Sequence, residues 1–483
     1  MATQTAAPAA TRKIGFENQE NELKVDRLPL QGRLPEWLSG TLVRVTPAVL
    51  DVGGASLRHW FDGLAMLNAF GVRDGHVSYG SRFLDTEARR SAQADGEVAF
   101  QGFAQDPCRS LFKRVMAVAL PPGNDNANVN VAQLGDRYLA MTEIPMPVEF
   151  DPVTLETLGG GRYKDRVGGH HATAHPHYDP QRDELLGYVT HFGPRSSYRL
   201  FAEPAGSRKR RLIGKLGVGK PGYMHSFGMS DRYLVLAENP LVVDPWQLAL
   251  SGKAFIHNFR WEPERGTRFI VVDRYSGHLR GIYEGPAFFC FHHVNAFERG
   301  GELIVDLCAY DDASIVDLLE VERLRGGVDR FPPSRLQRCR IDLRGGGVEY
   351  EFLAEPPFEF PRINYGLING RDYRYGYGTS LHSPESDWPD QLVKVDVVGD
   401  DSSTWYEPGC YPGEPVFVAA REGRSEDDGV ILSVVLDSPA ARSFLLVLDA
   451  GSFEELARAE APQRIPFGFH GQFFDGGGVG GTR

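Results

Sequence analysis

Nowhere in the 483 residues does an apolar run approach the roughly 18 needed to cross a bilayer as a helix. The opening MATQTAAPAATRKIGF also lacks the apolar stretch of a signal peptide. A chain that does not span a membrane is therefore expected. Positive charge is short as well: 52 Lys and Arg against 64 Asp and Glu give a net charge of -12. That excludes the basic surface a nucleic-acid partner requires. The one basic run, SRKRR at 207–211, reads as a solvated loop, with anionic lipid headgroups as the alternative. Cysteine is scarce and unpaired: Cys108, Cys290, Cys308, Cys339 and Cys410 are scattered and odd in number, with no CxxC. Neither a disulfide framework nor a cysteine zinc site is indicated, and a reducing cytoplasm fits. No Pro/Ser linker or compositional break divides the chain, so one domain over 16–474 is expected. Residues 1–15, small and Ala-rich, and the Gly-rich 475–483 are expected to be disordered ends.

Convincing amphipathic helices are few, DASIVDLLEVERL at 312–324 being the best. What the sequence has instead is short strands. GTLVRVTP, DELLGYVTHF, TRFIVVDRY, GGELIVDLCAY, DQLVKVDVV, GVILSVVLD and SFLLVLDA are β-branched or alternating, and Gly, Asp, Asn and Pro separate them. Two internal echoes add a repeat. GDRYLAMTEIP (135–145) and SDRYLVLAENP (230–240) share a D-R-Y-L frame, and DPVTLETL (151–158) and DAGSFEEL (449–456) share a turn and short strand. An all-β chain with a recurring unit points to a β-propeller, with a pair of sandwiches as the alternative.

Fourteen histidines are present, and four segments hold the candidates for chemistry. TAHPHYDP sets His175 and His177 beside a proline-fixed turn, and YMHSFGMSDRYLVL sets His225 just before a strand. FFCFHHVNAFE puts His292 and His293 in an aromatic run, where an unpaired imidazole is costly. IPFGFHGQFF does the same for His470, with flanking glycines. The candidates lie too far apart for a helical motif such as HExxH. They are what a propeller gives if separate blades each send one imidazole to the axis. An imidazole-only set suits iron(II), copper or zinc, and leaves carboxylates to accept the second imidazole N–H. Glu143 in AMTEIP, Glu359 in FEFPRINYG and Glu414 in YPGEPVFVA stand in apolar or proline-bounded settings suited to that task.

Taken in order, RHWFDGLAMLNAF, QDPCRSLF, NANVNV, TAHPHYDP, YMHSFG, FHHVNAFE, EFPRINYG, YPGEPVFV, EDDGVILSVV and FHG resemble the carotenoid cleavage oxygenase family. The likeness is to its animal-type branch, the β-carotene oxygenases and the retinoid isomerase of the visual cycle. The resemblance implies a seven-bladed β-propeller, capped by a few short helices, with one iron(II) on its axis. It assigns the metal to His175, His225, His292 and His470. It implies that Glu143, Glu359 and Glu414 bond His225, His292 and His470 in turn. His59, His177 and His293 then fall back to structural roles. Dioxygen would be the co-substrate, and each of two carbonyl products would carry one of its oxygen atoms.

A carotenoid resides in a bilayer, so the resemblance also implies peripheral membrane contact by a cytoplasmic protein. The apolar segments 111–122 and 239–261 are the candidates, each otherwise core. Cys108 lies in a DPC motif that is lipid-modified in some relatives. No obligate protein partner is indicated. The expected activity is cleavage of a carotenoid or apocarotenoid to aldehydes, with retinal as the product of central cleavage. A retinoid isomerohydrolase, a stilbene-cleaving dioxygenase and a silent carotenoid-binding protein are the alternatives.

Overall fold

The computed structural model describes residues 12–96, 102–105, 125–161, 163–328 and 330–475. The apolar runs become strands where alternation requires them: Gly40–Val49, Glu184–His191, Thr267–Asp273, Glu302–Tyr310, Gln391–Asp396, Gly429–Asp437 and Arg442–Asp449. These and their partners form seven antiparallel sheets of four to six strands, the blades of a β-propeller. Numbered along the chain, the innermost strands are Gly471–Asp475 in the first blade and Asn130–Leu134 in the second. The third is split into His171–Ala172 and His177–Asp179. Gly228–Met229, Phe289–Arg299 and Glu359–Arg362 serve the fourth, fifth and sixth. The seventh is again split, into Cys410–Pro412 and Val416–Ala419. The ring closes in the first blade, where Gly471–Asp475 pairs antiparallel with Gly40–Val49.

Both echoes lie at equivalent positions. The D-R-Y-L frames fall on Arg137–Met141 and Tyr233–Glu238, the second strands of the second and fourth blades. The other pair bridges the third and fourth strands, counted from the axis, of the second and seventh blades. There Leu155 (φ 59) and Phe453 (φ 62) take the left-handed turn conformation, and each donates its N–H back to an aspartate carbonyl, Asp151 or Asp449. Such a φ is strained for a non-glycine residue, and both side chains are buried in blade cores, which offsets that strain.

The expected helix over 312–324 is two helices, Ser314–Leu318 and Val321–Gly326. Between them the chain extends (Glu320 φ -64, ψ 134) because it pairs with the HWFDG segment. Trp60 N–H bonds Leu319 O (3.1 Å) and Val321 N–H bonds Arg58 O (2.9 Å). No helix among the described residues is long and apolar enough to cross a membrane. The basic run at 207–211 is neither free nor simply solvated. Arg208 pairs with Glu149, Arg210 with Asp165 and Arg211 with Glu184, so most of its charge is consumed within the blades. Cys290, Cys308, Cys339 and Cys410 are buried free thiols; Cys108 and 111–122 lie outside the described residues.

Candidate metal centre

Each blade supplies one of the seven candidate groups, six of them from its innermost strand or the chain next to it and Glu143 from the connection after a second strand. His470 immediately precedes the closing strand of the first blade, and Glu143 follows the second strand of the second. His175 sits in the break of the third inner strand, and His225 just before that of the fourth. His292 is within the fifth, where the register slips between Cys290 and His293. Glu359 opens the sixth, and Glu414 sits in the break of the seventh. The interruptions have a purpose: a regular strand would alternate these side chains between faces, whereas slips and breaks turn them toward the axis.

The ligand atoms of His175, His225, His292 and His470 all lie within 4.8 Å of one another. His175 Nε2 stands 2.9 Å from His225 Nε2, and His292 Nε2 stands 3.1 Å from His470 Nε2. Nitrogens held at right angles on one ion through bonds of about 2.1 Å would be about 3 Å apart. The carboxylates fix the tautomers. His225 Nδ1 lies 2.7 Å from Glu143 Oε1, His292 Nδ1 2.6 Å from Glu359 Oε2 and His470 Nδ1 2.7 Å from Glu414 Oε1. An ionised carboxylate can only accept, so each Nδ1 carries the proton and each Nε2 presents a lone pair. Two such lone pairs 3.1 Å apart, on His292 and His470, cannot bond each other. The donor set is arranged for a cation, and neutral imidazoles at this spacing fit one transition-metal ion.

The electrostatics keep that arrangement. Burial, with the neighbouring imidazoles, holds His175 well below the usual imidazole range. Burial pushes His470 down to about 3 despite Glu414, and lowers His225 despite Glu143. Burial would raise Glu143, but His171 and His225 outweigh it and bring the carboxyl down to about 2. Burial likewise opposes ionisation of Glu414, and Arg362 and His470 prevail, leaving it well below the carboxylate range. These imidazoles are neutral and both carboxyls charged near pH 7.

The crowded pairs resolve in the same geometry. His293 Nδ1 bonds Ser226 Oγ (2.8 Å), and His177 spans Phe227 O (Nε2, 2.9 Å) and the Tyr365 hydroxyl (Nδ1, 2.9 Å). His59 Nδ1 accepts the Phe61 N–H (3.1 Å), and its Nε2 bonds Val316 O (3.0 Å). None of the three joins the cluster of four; His59 and His177 have both ring nitrogens bonded, and His293 has its Nδ1 bonded.

A further layer escaped the sequence reading. Thr173 Oγ1 donates to His225 O (2.9 Å) and accepts the His175 N–H (3.0 Å), tying two of the histidines together. Tyr223 donates to Glu143 (2.9 Å), and Arg362 Nη2 bonds Glu414 Oε2 (3.0 Å) and the Gly471 carbonyl. Arg44 reaches Glu414 O (3.0 Å) and Phe469 O (2.7 Å), bracketing His470. Thr173, Tyr223 and Arg362 lie in the motifs around the histidines and carboxylates; that they face inward is visible only in three dimensions. Phe61 and Phe291 rings approach His225 (5.9 and 5.4 Å), and Phe360 approaches both His292 (5.4 Å) and His470 (5.2 Å). Phe360 holds φ at 49° to do so, a left-handed strain of the kind stored at working sites.

Fold and site together define a propeller with an all-histidine axial centre inside an aromatic shell. The comparisons identify which one. A family model described as retinal pigment epithelial membrane protein matches residues 16–475, and the chain belongs to that family, the carotenoid oxygenases. It is similar to the carotenoid-cleaving dioxygenase, mitochondrial, of Macaca fascicularis (35% identical, covering 92% of this chain and 90% of the relative). Carotenoid cleavage dioxygenase 8 homolog A, chloroplastic, of Oryza sativa subsp. japonica is 36% identical over 97% of this chain and 88% of its own. Among solved structures, cobalt-substituted apocarotenoid oxygenase of Synechocystis superposes with a TM-score of 0.85 at 25% identity, covering 97% of this chain and 100% of that one. The chain is an enzyme of the dioxygenase kind.

Proposed function

We propose that this chain is an iron(II)-dependent dioxygenase that splits a carbon–carbon double bond of a carotenoid or apocarotenoid into two aldehydes. One iron(II) per chain would be held by His175, His225, His292 and His470, with residues 16–474 acting as one catalytic unit. The observation that carries the reading is the convergence of lone-pair nitrogens within 4.8 Å, inside a shell of phenylalanines. Relatives named as carotenoid-cleaving dioxygenases support the substrate class. A bound ion supplies activation of dioxygen beside the alkene. The chain's own residues supply the rest. Glu143, Glu359 and Glu414 hold the Nδ1 protons of His225, His292 and His470 and so keep those three Nε2 lone pairs turned inward; His175 has no such carboxylate. Phe61, Phe291, Phe360 and Phe469 exclude water and give a polyene an apolar wall. Incubating iron-loaded protein with β-carotene under isotopically labelled dioxygen tests the reading. Aldehydes that both carry label are expected; retinal is among them if the central bond is cut. Anaerobic turnover of a retinyl ester would instead favour isomerohydrolase chemistry.

The route to the substrate runs through 239–261. Leu241, Val242, Val243, Ile256 and Phe259 are buried, but helix Pro245–Leu250 leaves Trp246 and Leu250 about three-fifths exposed (59% and 63%). The segment is thus core at its ends and an apolar protrusion in its middle, suited to rest on a bilayer surface. Replacing both side chains by glutamate should weaken binding to phospholipid vesicles by at least about tenfold, since each withdraws apolar area worth roughly 1 kcal/mol. Cleavage of detergent-dispersed substrate should persist. Unchanged vesicle sedimentation would remove this segment from the interface.

A further inference from the structure

The HWFDG motif caps its own helix through His59, pairs through Trp60 with Leu319 and sets Phe61 beside His225. Its Asp62 is buried (1% exposed) and forms no ion pair among the described residues. Both carboxylate oxygens are used on one short loop: Oδ1 accepts the N–H of Phe103 (2.6 Å) and Oδ2 that of Ala104 (3.1 Å). Residues 102–105 are gripped from the other side as well, since Ile256 N–H bonds Phe103 O (3.1 Å), and Gly102 N–H closes the turn on Gln105 O (2.8 Å). The approach is close enough that a Cβ on Gly102 would lie 2.1 Å from Asp62 Oδ1. Only glycine admits the carboxylate there.

The grip fixes a ring. Phe103 packs on His59 (4.7 Å), Phe61 (5.0 Å) and Tyr223 (5.5 Å). Phe61 lies against His225, and Tyr223 donates to Glu143. Phe103 is therefore one ring removed from the histidine centre, while its carbonyl is tied to the apolar segment 239–261. A buried carboxylate without a counter-ion is costly, and burial raises the Asp62 carboxyl to about 7. Two backbone amides converging on one side chain are what such a group can hold and a carboxamide cannot, because asparagine offers one acceptor and sets an N–H2 against the other amide.

We propose that Asp62 is a positioning residue for the polyene: by holding 102–105 through two amides it sets the Phe103 ring as a wall of the substrate path, and with it the register at which the chain is cut. The part concerning the cut rests on the polyene-cleavage reading; the latch itself does not. Asp62→Asn should raise deuterium uptake in the peptide spanning 102–105 by at least about tenfold in rate, a charge-assisted bond having been lost. Uptake in Phe289–Arg299 and affinity for cobalt(II) should stay as in the parent. With β-carotene or an apocarotenoid, KM should rise by more than kcat falls, and the ratio of cleavage products should change. Gly102→Ala, which pushes the carboxylate off, should reproduce both effects. Phe103→Leu should alter the product ratio with exchange at 102–105 unchanged, and these two variants serve if Asp62→Asn does not fold. Unchanged exchange in Asp62→Asn or Gly102→Ala would overturn the latch. Faster exchange with KM and product ratio unmoved would overturn the positioning role. If the parent protein cleaves no polyene, the proposed function fails, while the exchange measurement still decides whether the latch exists.

Discussion

Replacing His292 by alanine should leave a folded propeller that no longer retains iron and forms no aldehyde product. Structural four-ligand zinc sites bind with an apparent total of about 10–16 kcal/mol; on that scale one ligand in four is worth roughly 3 kcal/mol, more than about a hundredfold in affinity. The loss is compounded because the buried Glu359, whose Oε2 lies 2.6 Å from His292 Nδ1, would lose that donor and keep the Phe360 N–H. Metal analysis after purification with iron supplied, together with product chromatography, reads both effects. The same outcome is expected at His175, His225 and His470. His177→Ala is the informative contrast: its ring bonds Phe227 O and Tyr365, so iron content should remain near that of the parent. If His177→Ala lost iron and His292→Ala kept it, the ligand assignment would fall.

Among the three carboxylates, Glu414→Gln should be the most damaging. Loss of a partner that orients a ligand imidazole commonly costs about 10–100-fold in metal affinity, and that much is expected of Glu143→Gln and Glu359→Gln. Glu414 does more. It accepts from His470 Nδ1 (2.7 Å) and the Gly471 N–H (2.9 Å) and pairs with Arg362 (2.9 Å). A carboxamide cannot accept from all three, and it strands a mostly buried guanidinium at a cost of about 3 kcal/mol, the lower end for a broken buried pair. Iron affinity and the midpoint of thermal unfolding should therefore fall together in Glu414→Gln, whereas Glu359→Gln should lose affinity with a smaller change in midpoint. Equal midpoints in the two variants would contradict the role given to Arg362.

The strands were legible because their signal is local: runs such as GVILSVVLD and TRFIVVDRY alternate or branch within a few residues. The echoes were legible for the same reason, as each is a short local unit, one lying on second strands and the other on a turn with fixed backbone needs. The helix over 312–324 was misread because its break at Leu319 and Glu320 is imposed by Arg58 and Trp60, more than 200 residues earlier in the chain. Helix Glu87–Asp95 was missed because EARRSAQAD has almost no apolar face; its Thr86 cap (3.2 Å to Arg89 N) and the Asp125 carboxylate hold it instead. At the site, residue types and motif order singled out four histidines and three glutamates, and the structure brings these seven side chains together. Thr173, Tyr223, Arg362 and Arg44 could not be read, since nothing in a one-dimensional pattern distinguishes a buried third partner from a strand-end polar residue.

The ring is closed by its last strand, Gly471–Asp475, and His470 stands next to it, 178 residues after His292. On a ribosome adding about 5–20 residues per second, that interval is on the order of 10 to 40 s. Through it the growing polypeptide holds three imidazoles, and by its end all three carboxylates, without the fourth imidazole or the closing strand beside it. Completion of the four-imidazole set is thereby deferred until residue 470 has been made, and a chain cut short of it that cannot shut its circle is denied a complete binding site.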